Sequence, residues 1–152
     1  ITSETDWKIK DVEVLASACY DPRDIGARIA SGSFVTDGML VVPCSIKSLS
    51  GIANSYANNL VVRAADVCMK EGRELILVVR ETPLHTGHLR LMRQAANSGA
   101  VIFPPVPAFY GSAQTMDDLL NNLAGRILLR MGIANEHYHQ WDGDADPDLG
   151  EI

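Results

Sequence analysis

Arg63 and Lys70 stand seven residues apart, so on a helix both cations share one face. Two cations on one face can hold a phosphate. Asp66 lies between them and offers the plainer alternative of a solvated salt bridge, which residue types alone favour. Arg80-Glu81, followed by Thr82-Pro83, is a second charged pair. Beside a bound anion or ring, Glu81 can carry protons if its pKa is raised. Otherwise it is an acid that favours the positive end of the next helix. The third place is Pro43-Cys44-Ser45-Ile46-Lys47-Ser48. Ser45 and Ser48 can cap a following helix, whose free N–H groups can hold an anion or a polar ring edge. The simpler reading is an N-cap without a ligand. Ala30-Ser31-Gly32-Ser33-Phe34 is a small-residue loop, which either lets backbone approach a ligand closely or is a plain turn. Tyr110 closes the Pro-rich run PPVPAFY. Arg126 borders an apolar stripe, where a cation either snorkels or reaches into a site or an interface.

Other residues point away from metal chemistry. His88 falls on an apolar stripe and reads as a core or interface histidine, and His137 and His139 have a spacing poor for one helical metal site. Asp142, Asp144 and Asp146 imitate the start of a calcium loop, but Pro147 stands where that loop needs Gly. Cys19, Cys44 and Cys68 are scattered without metal spacing, as suits a reduced cytoplasm.

The elements that must position these residues follow from the apolar pattern. Met39–Pro43, Leu75–Val79 and Val101–Phe103 read as buried parallel strands alternating with helices, the mark of βαβ units. Leu60, Ala64, Val67 and Cys68 keep helical spacing before Gly72. Leu84, His88, Leu91, Met92, Ala95 and Ala96 do so before Gly99. Met116, Leu119, Leu120, Leu123, Ile127 and Met131 form a third stripe, with Thr115 as N-cap and Gly132 behind it. The opening ITSETDW is polar and helix-like. An open parallel sheet binds its ligand at the carboxyl ends of its strands, which directs attention to Pro43–Ser48, Arg80–Pro83 and Pro104–Tyr110. With 152 residues, 47% of them apolar, the chain can build one domain with a real core. A net charge of −6 argues against a sequence-independent nucleic-acid binder. No apolar run approaches membrane-spanning length. The expected organisation is one domain over 1–141 and an acidic, disordered tail over 142–152.

Taken together, PCSIKSLSGI, NNLVVRAADVCMKEGRELILVVRETPL, GHLRLM and GAVIFPPVPAFY, with the helix carrying Arg126, resemble the UbiX flavin prenyltransferases. The resemblance runs from about Thr2 to Trp141. It implies a flavodoxin-like (Rossmann-like) α/β three-layer sandwich with a parallel sheet, and a homododecamer. The implied activity joins a dimethylallyl group from dimethylallyl phosphate to N5 and C6 of reduced FMN without a metal. The product, prenylated FMN, serves a UbiD-type decarboxylase in ubiquinone biosynthesis. Residue by residue, Ser45, Ile46, Lys47 and Ser48 are similar to the FMN-contacting segment, and Arg80 to the flavin-contacting arginine. Glu81 is similar to the proton-relay carboxylate, and Glu4 to a second active-site acid. Arg63 and Lys70 match cations around the dimethylallyl phosphate. Tyr110 and Arg126 match phosphate ligands from a neighbouring subunit, and Ala30 and Trp141 match residues packing about the prenyl chain.

The family also begins with a strand and a Gly-rich turn, and this sequence contains neither. A missing βα start of roughly 30–40 residues fits that gap. The alternatives to prenyl transfer are a flavin-dependent decarboxylase and a non-catalytic FMN carrier.

Overall fold

The computed structural model describes residues 2–3, 5–109 and 113–138. The chain forms two compact units, 1–103 and 104–152. In the first, β1 (Gly38–Cys44), β2 (Glu74–Val79) and β3 (Val101–Ile102) make a parallel sheet in the order β1-β2-β3. Around them lie α1 (Ile9–Glu13), a 3-10 turn at Arg28–Ala30, α2 (Ile46–Ala53), α3 (Leu60–Lys70) and α4 (Thr86–Asn97). All three expected strands are present. The opening ITSETDW is not helical in its described residues, and the first helix starts only at Ile9. Polar residues there have no apolar stripe to bury, and tertiary packing is what supports short helices in water.

β2 is an unbroken apolar run, Leu75 to Val79, and every one of these side chains is buried. Leu75, Leu77 and Val79 join Val41, Cys44, Leu49, Ile52, Val62, Ala65 and Ala95 in one core. Ile76 and Val78 point to the opposite face and are buried too. A strand covered on both faces is the condition of a layered α/β sandwich. β1 advances three residues, Val41 to Cys44, where β2 advances two, Leu77 to Val79. This bulge holds the cis Val42–Pro43 bond, at a place where a residue without an N–H disturbs no ladder.

Helices α2 and α3 end by one device. In α3 the Gly72 N–H donates to Met69 O at 3.1 Å and the Arg73 N–H to Cys68 O at 2.8 Å, with Gly72 at φ +66°. This is the paired closure that a left-handed residue permits. α2 closes in the same pattern through Ser55, at φ +51°. Gln94 of α4 donates to Ala53 O at 2.6 Å and so ties α4 to the end of α2.

The second unit contains α5 (Met116–Arg130). Thr115 caps it as expected, accepting from the Asp118 N–H at 3.1 Å, while the Asp118 carboxylate accepts from the Thr115 N–H at 2.9 Å. The Thr115 hydrogen bond and the two backbone donors hold the Asp118 carboxyl below the usual range. Ile127 of the expected stripe is buried, whereas Met116 and Leu120 are exposed.

Candidate active site

β1 ends at Cys44 and the chain turns directly into α2. Ser45 is its N-cap. Its Oγ accepts from the Ser48 N–H at 3.2 Å and lies 3.2 Å from Ser48 Oγ. The Ile46 and Lys47 N–H groups have no carbonyl to reach inside the helix, so they face outward as donors at its positive end. β2 ends beside β1, and the Arg80 N–H donates to Cys44 O at 3.4 Å. Ser45–Ser48 and Arg80–Glu81 thus share the carboxyl edge of the sheet. Glu81 is exposed, and its Oε1 accepts from the Thr82 N–H at 3.1 Å, ahead of a cis Thr82–Pro83 bond. It does not cap α4. That task falls to His85, whose Nδ1 accepts from the Gly87 N–H at 3.0 Å. Cys44 sits at this edge as a neutral thiol, its pKa pushed up to about 11 by burial.

A second cluster lies along α3. Arg63 donates from Nε to Ala30 O at 3.1 Å and from Nη1 to Asp66 Oδ2 at 3.2 Å. The salt bridge anticipated for Asp66 therefore forms, with Arg63. Lys70 pairs instead with Glu71. Lys70 first, and Arg73 as well, hold the Glu71 carboxyl below its ordinary range. The small-residue loop does permit a close approach, but by the protein's own groups. A Cβ on Gly32 would collide with the Glu71 carboxylate and come within 2.8 Å of Lys70 Nζ.

Lys70 and Arg80 stand at opposite ends of β2. α3 runs back to the amino end of β2, so Lys70 lies near Glu74 whereas Arg80 leaves the far end. Six residues of extended chain, about 20 Å, separate those ends.

In the second unit Arg126 is exposed on α5. Its Nη1 donates to Tyr138 Oη at 2.5 Å, and its guanidinium carbon lies 5.4 Å from the Tyr138 ring centre. Gly125 makes room for that neighbour, since a Cβ there would stand 2.7 Å from the Tyr138 nitrogen. Glu4, Tyr110 and Trp141, like the 142–152 tail, lie outside the described residues. Among the described residues, no group of three or more His, Cys, Asp or Glu is arranged to hold a metal, and no helix is long and apolar enough to cross a membrane.

Arg73 and Tyr138 escaped the sequence reading. Arg73 follows a helix-ending Gly, a position whose backbone is fixed by the closure, and that was the available signal. Tyr138 carried none, because its contact depends on a chain reversal after α5.

The chain is similar to known flavoproteins over most of its length. The flavoprotein family profile matches residues 2–128. The chain is 53% identical over 145 residues to flavin prenyltransferase UbiX of Escherichia coli K12, covering 94% of this chain and 77% of that protein. Crystalline AnUbiX (PadA1), in complex with FMN and dimethylallyl pyrophosphate, superposes with a TM-score of 0.91 at 44% identity, over 93% of this chain and 76% of the other. A dodecameric FMN-dependent UbiX-like decarboxylase from E. coli O157:H7 gives a TM-score of 0.90 at 46% identity, over 93% and 77%. The shared architecture is the flavodoxin-like α/β fold expected from the sequence.

Proposed function

The chain belongs to the flavoprotein family and, within it, to the UbiX flavin prenyltransferases, and from that premise we propose that it transfers a dimethylallyl group from dimethylallyl phosphate to N5 and C6 of reduced FMN. The observation that carries the proposal is the serine-capped start of α2 lying beside the Arg80-Glu81 strand exit. Ile46 and Lys47 present N–H donors there, Ser48 a hydroxyl and Arg80 a guanidinium. Together they suit the acceptor-rich edge of a flavin.

Bound reduced FMN supplies the nucleophilic positions. The chain supplies the rest. Arg63 and Lys70 hold the departing phosphate by charge-assisted bonds, which strengthen as negative charge gathers on the leaving oxygen. Tyr110 and Arg126 of a neighbouring subunit are proposed as further phosphate ligands, and Ala30 and Trp141 as walls of the prenyl pocket. These cations provide the countercharge, so the proposal invokes no metal. Glu81, at the strand exit, would relay the two protons that ring closure requires, one delivered to the prenyl double bond and one taken from C6, with Glu4 as a second acid.

Because Lys70 and Arg80 lie at opposite ends of β2, the proposed site draws on a second copy of the chain, one contributing Arg63 and Lys70 and the other Ser45–Ser48 and Arg80. A homo-oligomer, dodecameric like the E. coli O157:H7 neighbour, meets that need. The product, prenylated FMN, is proposed to pass to a UbiD-type decarboxylase in cytoplasmic ubiquinone biosynthesis.

The test is anaerobic incubation with reduced FMN and either dimethylallyl phosphate or the pyrophosphate, followed by mass analysis of the flavin. One added five-carbon unit is expected. Bound but unmodified FMN with both donors would overturn the proposal. The decarboxylase named among the neighbours supplies the rival outcome, carbon dioxide release from a carboxylic acid with the flavin unchanged.

A further inference from the structure

The loop beneath Arg63 and Lys70 is fastened by a third cation. Ala30, Gly32 and Phe34 present alternate carbonyls to α3 and the turn that follows it. Ala30 O accepts from Arg63 Nε at 3.1 Å. Gly32 O accepts from Arg73 Nη2 at 2.6 Å, and Phe34 O from Arg73 Nη1 at 2.9 Å. One guanidinium thus spans two carbonyls as a fork, a geometry that lysine cannot reproduce. Arg73 is itself fixed, because the Gly72 closure sets its backbone nitrogen on Cys68 O. On the outer side of the loop, Ser31 Oγ and Ser33 Oγ lie 2.8 Å apart, and the Arg28 guanidinium sits 5.3 Å from the Phe34 ring centre. The loop also carries Gly32, against which Lys70 and Glu71 lie.

We propose that Arg73 is a positioning residue for the phosphate half of the site: by clamping Gly32 and Phe34 it holds Ala30 O under Arg63 and keeps Lys70 on Gly32, so that both cations are set before the allylic phosphate arrives. This rests on the proposed role of Arg63 and Lys70 as phosphate ligands. Arg73 touches no substrate. Two of its donors are spent on the loop, and its effect passes through Arg63 and Lys70. Orientation fixed in advance is what converts side-chain charge into affinity for a bound anion.

The test compares wild type with Arg73→Gln, Arg73→Lys and Gly32→Ala. Steady-state prenyl transfer is measured with dimethylallyl phosphate, and FMN binding by titration. Each replaces or disturbs charge-assisted bonds, so the KM for dimethylallyl phosphate is expected to rise roughly tenfold in Arg73→Gln. The FMN dissociation constant should stay within about twofold, since no flavin contact is touched. Arg73→Lys should recover only part of the loss. Gly32→Ala, whose added methyl meets the ends of the Glu71 and Lys70 side chains, should raise the same KM by displacing Lys70, and Arg73→Lys decides the matter if Arg73→Gln does not fold. Hydrogen exchange should quicken at 31–36 and stay unchanged in β2. Unchanged KM in Arg73→Gln, or equal loss of FMN and phosphate affinity in both variants, would overturn the inference. Lys70→Ala is the control. If it leaves the KM unaltered, the phosphate assignment itself has failed rather than the clamp.

Discussion

At the scale of single residues, backbone conformation and thiol burial give the sharpest expectations. Ser55 occupies a left-handed position at the end of α2 with a side chain that gains nothing from it, at φ +51°. Ser55→Gly should therefore raise stability by about 1 kcal/mol, read as a higher denaturant midpoint at unchanged slope. Gly72→Ala should lower it by a similar amount, about 1 kcal/mol, because the same conformation is needed there. A lower midpoint for Ser55→Gly would show that the hydroxyl makes a compensating bond. The thiols divide as sharply, with Cys19 exposed and Cys44 and Cys68 buried. One thiol per native chain should react with a disulfide reagent at neutral pH, and three after denaturation. Burial raises the Cys44 pKa from 9.0 to about 11, so the fold favours its neutral form. That contribution is complete below pH 9.0 and is lost as pH climbs towards about 11. Stability that stayed level across this window would show the thiol to be hydrated.

At the scale of elements, two helix features bear on the proposed site. Ser45 caps α2 with its own hydroxyl, so Ser45→Ala should cost about 1 kcal/mol of stability. It should also weaken FMN binding, because the fraying turn is the one that presents Ile46 and Lys47. Loss of stability with unchanged FMN affinity would confine Ser45 to capping. Gly125 is the point where the 135–138 segment rests on α5, with Asn135 Nδ2 donating to Gly125 O at 2.9 Å. Gly125→Ala should expel that segment at a cost of about 1–3 kcal/mol, and free Arg126 from Tyr138. Hydrogen exchange at residues 135–138 reads this directly, and unchanged protection there would refute it.

At the scale of the whole molecule, sheet topology places Lys70 and Arg80 at opposite ends of β2. Lys70→Ala and Arg80→Ala chains should each lose most of their activity alone. Co-assembled, they should regain part of the activity, because some sites then draw intact Lys70 from one chain and intact Arg80 from another. No recovery in verified mixed oligomers would mean that one chain completes its own site.

The sequence alone determined the strands, because an unbroken apolar run such as Leu75–Val79 has no stable place but a doubly covered sheet. It determined the helix caps as well, since Thr115 and Ser45 act on N–H groups three residues away in the chain. The residues proposed for the site stand out for the same reason: each sits in a short, characteristic run. The tertiary structure decided what those residues touch. Glu71 rather than Asp66 takes Lys70, Gly32 accommodates the protein's own side chains, and Arg73 reaches carbonyls 39 and 41 positions earlier. These contacts join segments distant in sequence. No local propensity or periodicity encodes which carbonyl a guanidinium will meet once the sheet and helices have packed.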